Sequence, residues 1–228
     1  MVGKRVIEVD DSGWGDLLGG VFLCFNDVAM GRYVLKEIPV EYFQGESFLE
    51  KKYLAKSREL AESAIKELDI KRGEDVEFHV CTGYINNAVA SFLIQEGFHV
   101  LRRKIEGQTQ LLVEKAYEEY VKKLTGLESV PASGRRFFTL LKWVREDLAN
   151  REKYVKTGWR SWNERWRTYE TQKNYKACIN CKWLTYSGPH VGCFRDYQYH
   201  SWLPQKVIKT FNCPNWAPRN SKGGEKFG

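Results

Sequence analysis

Hydrophobic and polar positions along residues 4–125 follow two alternating periods. Lys4–Asp10 is a β-branched run, Gly19–Asn26 is a second apolar run behind Gly19-Gly20, and Arg32–Val40 is a third. Pro39 places that third run near an edge or a strand end. Their close spacing predicts an antiparallel meander. Ser47-Phe48-Leu49-Glu50 has the form of a capping box, with Ser at N-cap and Glu at N3. Leu49, Tyr53, Leu60, Ala64 and Leu68 then recur at helical spacing, which predicts one helix over Phe48–Ile70. Alternation returns at Val76, Phe78 and Val80, a fourth strand. Asn86–Glu96 reads as a short helix closed by Gly97, His99–Ile105 as a fifth strand, and Thr109–Leu124 as a helix capped by Thr109 and ending at Gly126. The order β-β-β-α-β-α-β-α predicts an α/β fold, a mixed five-stranded sheet covered by helices.

The pattern changes after Gly126. Gly126–Gly134 reads as a linker, and Arg135–Tyr154 as a helix with Phe138, Leu141, Val144 and Leu148 on one side. Three regions are expected: a core over 1–126, a basic Trp-rich helical region over 127–176, and a small cysteine-containing tail over 177–228. The 228 residues are 43% hydrophobic and 29% charged with mean hydropathy −0.52, which excludes a mainly disordered chain. No apolar run approaches the roughly 18–20 residues of a membrane helix. Met1-Val2-Gly3-Lys4-Arg5 leads directly into a strand without a leader-like apolar stretch. A soluble, cytoplasmic protein is expected, with self-association into a homo-oligomer left open.

The net charge of +7 is unevenly placed. Residues 134–182 alone carry 13 basic and 5 acidic side chains, so the remainder is close to neutral. Seven of the eight Trp also lie between Trp143 and Trp216. A near-neutral body with a basic, aromatic second part points to a polyanion, most often nucleic acid; a merely solubilising basic face has the same composition.

The first strand carries the candidate chemistry. Val6-Ile7-Glu8-Val9-Asp10-Asp11-Ser12-Gly13 runs into a glycine-rich turn, so Asp10 and Asp11 end a strand at the open edge of the sheet. Glu8 shares the face of Asp10 by alternation. Carboxylates so placed hold Mg²⁺ or Mn²⁺, hard cations that take oxygen ligands and support phosphodiester hydrolysis. Asp-Asp-Ser-Gly is also ordinary turn chemistry.

This strand and the element order resemble the RNase H-like nuclease superfamily, over about half the chain. By that resemblance Asp10 matches the family's metal-binding aspartate, Ser12 its serine, and Asp11 stands where glycine is frequent. The family's fourth strand commonly ends in an aspartate followed by a tyrosine. Here His79-Val80-Cys81-Thr82-Gly83-Tyr84 keeps the tyrosine and has Cys81 in the acid's place. A lone thiol does not replace a Mg²⁺ carboxylate, so other acids or a degenerate site are implied. Glu114 is the leading substitute, followed by Glu118, Glu46 and Glu50; each also reads as a solvated helix face. Lys104, before the third helix, is a candidate for stabilising phosphate charge, or a plain loop residue. Less closely, the chain resembles archaeal RNase H-fold 3′–5′ exonucleases, which implies the direction of cleavage.

Two further groupings stand outside that core. Cys178-x2-Cys181-x11-Cys193-x19-Cys213 is a metal-site pattern that four thiolates could satisfy with one structural zinc. An iron–sulfur cluster is the rival, with disulfides the third option. Cys24 and Cys81 read as small buried residues. Trp159-Arg160-Ser161-Trp162-Asn163-Glu164-Arg165-Trp166-Arg167 alternates rings with guanidinium groups, the mixture that holds single strands. Trp159, Trp162 and Trp166 also fit a packed helical stripe, with Arg160, Arg165 and Arg167 free for phosphates. The expected function is a metal-dependent nuclease on single-stranded DNA or RNA. The other class is an RNase H-like nucleic-acid-binding protein without catalysis.

Overall fold

The computed structural model describes residues 5–131, 133–167, 184–187 and 190–193. Chain contacts divide the protein into two units, 1–167 and 168–228. In the first unit, β1 (Arg5–Ser12), β2 (Val21–Asp27) and β3 (Arg32–Ile38) form the antiparallel meander. β4 (Val76–Val80) lies parallel to β1, and β5 (His99–Arg102) parallel to β4. The sheet order is β3-β2-β1-β4-β5. This mixed five-stranded sheet with flanking helices fits the RNase H-like fold. Among the described residues no helix is long and apolar enough to cross a membrane.

Both faces are covered. Ile7, Val9, Leu23, Phe25, Phe78 and Val80 pack with Tyr53, Ala61 and Ala64 of α2 (Lys52–Glu67) and Val89 and Leu93 of α3 (Asn86–Gln95). On the other face, α4 (Gln108–Thr125) buries Val113, Tyr117 and Val121 against β1 and β2. β2 therefore reads as a nearly continuous apolar run, as a strand covered on both sides should.

The single helix expected over Phe48–Ile70 is broken. A short α1 (Gly45–Leu49) precedes α2, with Lys51 between them in the left-handed region at φ 56°. Residues five apart on a straight helix point about 140° away from each other. The break instead lets Phe48 stack on Tyr53 at 5.4 Å. Ser47 lies inside α1 and caps nothing, because the helix starts earlier, at Gln44. Thr109 likewise falls inside α4, whose N-cap is Gly107. β5 stops at Arg102 because β4 ends at Val80, which accepts its last bond, from the Arg103 amide at 3.1 Å.

The segment after α4 belongs to the first unit, and the boundary expected at 126 falls inside it. α5 (Ser133–Glu146) and α6 (Leu148–Arg151) are separated at Asp147, which leaves helical backbone and accepts Asn150 Nδ2 at 3.0 Å. The chain then docks along the turn between β1 and β2. Gly19 N donates to Tyr154 O at 2.8 Å, and Lys156 N to Leu17 O at 3.0 Å. Gln44 Nε2 donates to the carbonyls of Lys153 and Val155 at 2.9 and 2.8 Å. In the second unit, β6 (Leu184–Ser187) and β7 (His190–Cys193) pair as a hairpin.

Candidate active site

β1 and β4 run parallel with Val9 opposite Val80, so β4 ends beside Val9 while β1 continues through Asp10 and Asp11 to Ser12. The Cys81 amide donates to the Val9 carbonyl at 2.9 Å, carrying the ladder one step further. Asp10, Asp11 and Cys81 are thereby gathered, each offering a ligand atom within 4.8 Å of the other two. Ligand sites of open α/β sheets lie outside the carboxyl ends of the strands. This cluster sits there.

Alternation sends the two aspartates to opposite faces. On the α4 side, Glu8 accepts a bond from the Thr109 hydroxyl, which itself accepts Asn26 Nδ2 at 2.9 Å. On the α3 side, Asn86 Nδ2 donates to Asp11 Oδ1 at 2.7 Å. A Cβ at Gly83 would lie 2.7 Å from the same oxygen, so the Asp11 carboxylate occupies space that only glycine leaves. Asn86 is fully buried, and its Oδ1 has no hydrogen-bond partner among the described residues. Arg102 ties this loop down, donating to the Asn86 carbonyl at 2.8 Å, the Gly83 carbonyl at 3.3 Å and Asn87 Oδ1 at 2.9 Å.

The site is electrostatically loaded with acid. Burial pushes the Asp11 carboxyl up to about 7, Asp10 adds to the rise, and the Asn86 bond opposes it. Burial also raises Asp10, with Glu114 and Glu8 adding repulsion against the opposing bonds from Cys81 and the Asp11 backbone. The Cys81 thiol is raised by burial and both aspartates, while the Gly83 amide pulls it down. Cys24, opposite Asp10 on β2, is buried and pushed up to about 12 by burial and then by Asp10 and Glu8. Among the described residues, no Lys, Arg or His forms an ion pair with Asp10 or Asp11.

The turn that follows the acids is pinned from beneath. Lys156 is fully buried, and its Nζ donates to the carbonyls of Gly13, Asp16 and Leu18 at 2.8, 3.0 and 3.2 Å. Asp16 also meets Arg136 at 3.2 Å. Beside the turn, Trp14 lies 5.5 Å from Tyr84 and 6.4 Å from Trp159, ring centre to ring centre. Tyr84 is 42% exposed, so this aromatic patch reaches solvent next to Cys81 and Gly83.

The other sequence candidates are distributed as follows. Glu114 is exposed on α4, accepts Gln110 Nε2 at 3.1 Å and acts on Asp10 through its charge. Lys104 pairs with Glu106 at the surface. Glu118 pairs with Lys122 and Glu50 with Lys52, at 2.6 and 2.8 Å. Trp162 is 1% exposed and donates to Glu152 Oε1 at 2.9 Å, so its ring packs inward and offers no face to a base. Arg160 pairs with Glu164, Arg165 lies 4.2 Å over the Trp166 ring, and Arg167 bonds Glu152 at 2.7 Å. Cys193 ends β7; Cys178, Cys181 and Cys213 lie outside the described residues.

Sequence reasoning missed Asn86, Arg102 and the ring patch of Trp14, Tyr84 and Trp159. Asn86 reads in sequence as an ordinary helix-start residue. Only its burial against Asp11 separates it from one.

No protein-family model matches the chain, and no curated protein matches it. Among solved structures, it is similar to the catalytic core domain of BIV integrase, at 15% identity and a TM-score of 0.31. The match covers 50% of this chain and 65% of that domain, so the chain spans less than two thirds of the domain's length. So loose a likeness adds nothing about the site. The fold assignment rests on the sheet's own order and strand directions.

Proposed function

We propose that this chain is a divalent-metal-dependent nuclease acting on single-stranded DNA or RNA. The observation that carries the reading is the pair of carboxylates, Asp10 and Asp11, consecutive on β1 beside the end of β4, with the charge of Glu114 acting on Asp10 and, among the described residues, no cation paired to either. Removing acids from water beside each other is costly, and an oxygen-seeking divalent ion offsets that cost. Asp10 and Asp11 would supply oxygen donors to such an ion, and we propose Glu114, whose charge acts on Asp10, as a further acid of the site. When bound, the ion would stabilise charge developing on the attacked phosphate.

The chain's own groups do the rest. Asn86 and Arg102 fix the loop against which Asp11 is held. Tyr84, exposed and backed by Trp14, presents a ring on which an unpaired base would stack, which favours single strands over duplex. Arg160, Arg165 and Arg167 supply phosphate contacts, with Lys104 a further cation at the edge of β5. Cleavage as a 3′–5′ exonuclease rests on the sequence resemblance alone. In the tail, Cys178, Cys181, Cys193 and Cys213 are proposed to share one structural zinc. Elemental analysis should find about one zinc fewer per molecule when Cys178, Cys181, Cys193 and Cys213 are replaced together than in the intact chain; iron with sulfide would replace zinc by a cluster.

Asp10→Asn tests the main reading. The amide keeps the shape and loses the charge, so metal-dependent degradation of single strands should vanish while binding persists. Full activity of the variant would disprove the assignment of the site. A second reading, a binding protein without catalysis, is favoured by Cys81 in the place of an acid. It predicts that wild-type protein binds single strands and degrades none with any divalent ion.

A further inference from the structure

The thiol in the acid cluster has a consequence for which ion the site takes. We infer that Cys81 is itself a metal ligand, and that Asp10, Asp11 and Cys81 form one mixed oxygen–sulfur site selective for a zinc-class divalent ion over Mg²⁺. Three donor atoms from two strand ends already lie within 4.8 Å of one another. Bonds of about 2.0–2.3 Å to a tetrahedral ion set donors about 3.3–3.8 Å apart.

A second observation points to a ligand independently of the cluster. Asn86 is fully buried, and among the described residues its Oδ1 is unpartnered although the other arm of the same amide holds Asp11. A buried carbonyl oxygen without a partner is uncommon, and water bound to an ion held by Asp11 would satisfy it. The surroundings supply no competing cation for either aspartate among the described residues.

The donor chemistry then decides the ion. Carboxylates alone suit Mg²⁺ and Mn²⁺, whereas thiolate sulfur favours softer ions such as Zn²⁺. Mg²⁺ gains nothing from Cys81 and retains its waters. Binding of the softer ion displaces the thiol proton to solvent, leaving sulfur as the third bond. This deepens the proposed use of the same site, yet it is testable without turnover.

The experiment is alkylation of the intact, reduced chain by iodoacetamide, read peptide by peptide with mass spectrometry so that Cys81 is separated from the tail cysteines. With Zn²⁺ at ten times its Kd only about one site in eleven stays free, so Cys81 should react about tenfold more slowly. Mg²⁺ at millimolar level should leave the Cys81 rate unchanged and should not reverse the zinc effect. Asp10→Asn and Asp11→Asn, each made separately, should abolish the protection while circular dichroism shows the fold retained. Equal reactivity with and without Zn²⁺, equal protection by Mg²⁺, or protection surviving in both variants would each overturn the inference. Protection without any degradation of single strands would sink the nuclease reading and uphold the metal site. Degradation with Cys81 left unprotected would do the reverse.

Discussion

Replacing Lys156 with Met tests whether the segment after α5 holds the turn below the acids. The Lys156 amine is buried completely, which lowers its pKa from 10.5 to about 7 against the pull of Asp16 and Glu37. Each pH unit of such a shift corresponds to about 1.4 kcal/mol, so carrying the charge inside costs about 5 kcal/mol. Below pH 7 the amine is charged in both folded and unfolded chains, and that cost is borne in full. Between about pH 7 and 10.5 only the unfolded chain keeps the proton, so wild-type stability rises with pH across that window.

Methionine keeps the length of the side chain and removes the charge. Of the three carbonyls it abandons, Gly13 still accepts the Asp16 amide at 3.1 Å, and Leu18 still accepts the Tyr117 hydroxyl at 2.9 Å. The Asp16 carbonyl loses its Lys156 bond, which costs about 1–3 kcal/mol. Lys156→Met should therefore be more stable than wild type by about 2–4 kcal/mol near pH 6.5, and less stable by about 0–2 kcal/mol near pH 10. Urea unfolding of both proteins at the two pH values measures the difference directly. A difference that stays the same at both would refute the account of Lys156 as a buried, titrating staple.

Gly83→Ala should weaken divalent-ion binding, because the new methyl would meet Asp11 Oδ1 at 2.7 Å and displace the carboxylate. Calorimetric titration with Mn²⁺ reads this, and unchanged affinity would show that Asp11 does not contact the ion. Replacing Arg160, Arg165 and Arg167 together with Ala should reduce affinity for single strands and flatten its salt dependence. The log–log slope should fall by about 0.7 for every phosphate that no longer meets an arginine. An unchanged slope would leave these side chains to their partners Glu164, Trp166 and Glu152.

Local pattern determined much of this protein. The β-branched run ending in Asp10-Asp11, the meander spacing and the alternation at Val76, Phe78 and Val80 each depend on neighbours in sequence, and the sheet carries them as expected. The acids near the end of β1 were legible because a β-branched run followed by glycines marks where a strand gives way to a turn. The break at Lys51 was not. It depends on Phe48 and Tyr53 stacking together, a contact that outweighs the helical period of the apolar positions around it. Nor could pattern assign Trp162, since a ring in a helical stripe looks the same whether it packs or stacks on a base.

The acid cluster shows the same division. Sequence placed Asp10 and Asp11 at a strand end, but Cys81 lies some seventy residues away and reads alone as a buried thiol. Parallel pairing of β1 with β4 makes it their neighbour. Asn86, Arg102 and Lys156 took their positions for a similar reason: each bonds groups distant in sequence, and no local periodicity encodes which they will be. The composition of the strands is thus written in short-range pattern. The chemistry at their ends is set by non-local pairing, where burial of polar groups must be matched partner by partner as the chain closes on itself.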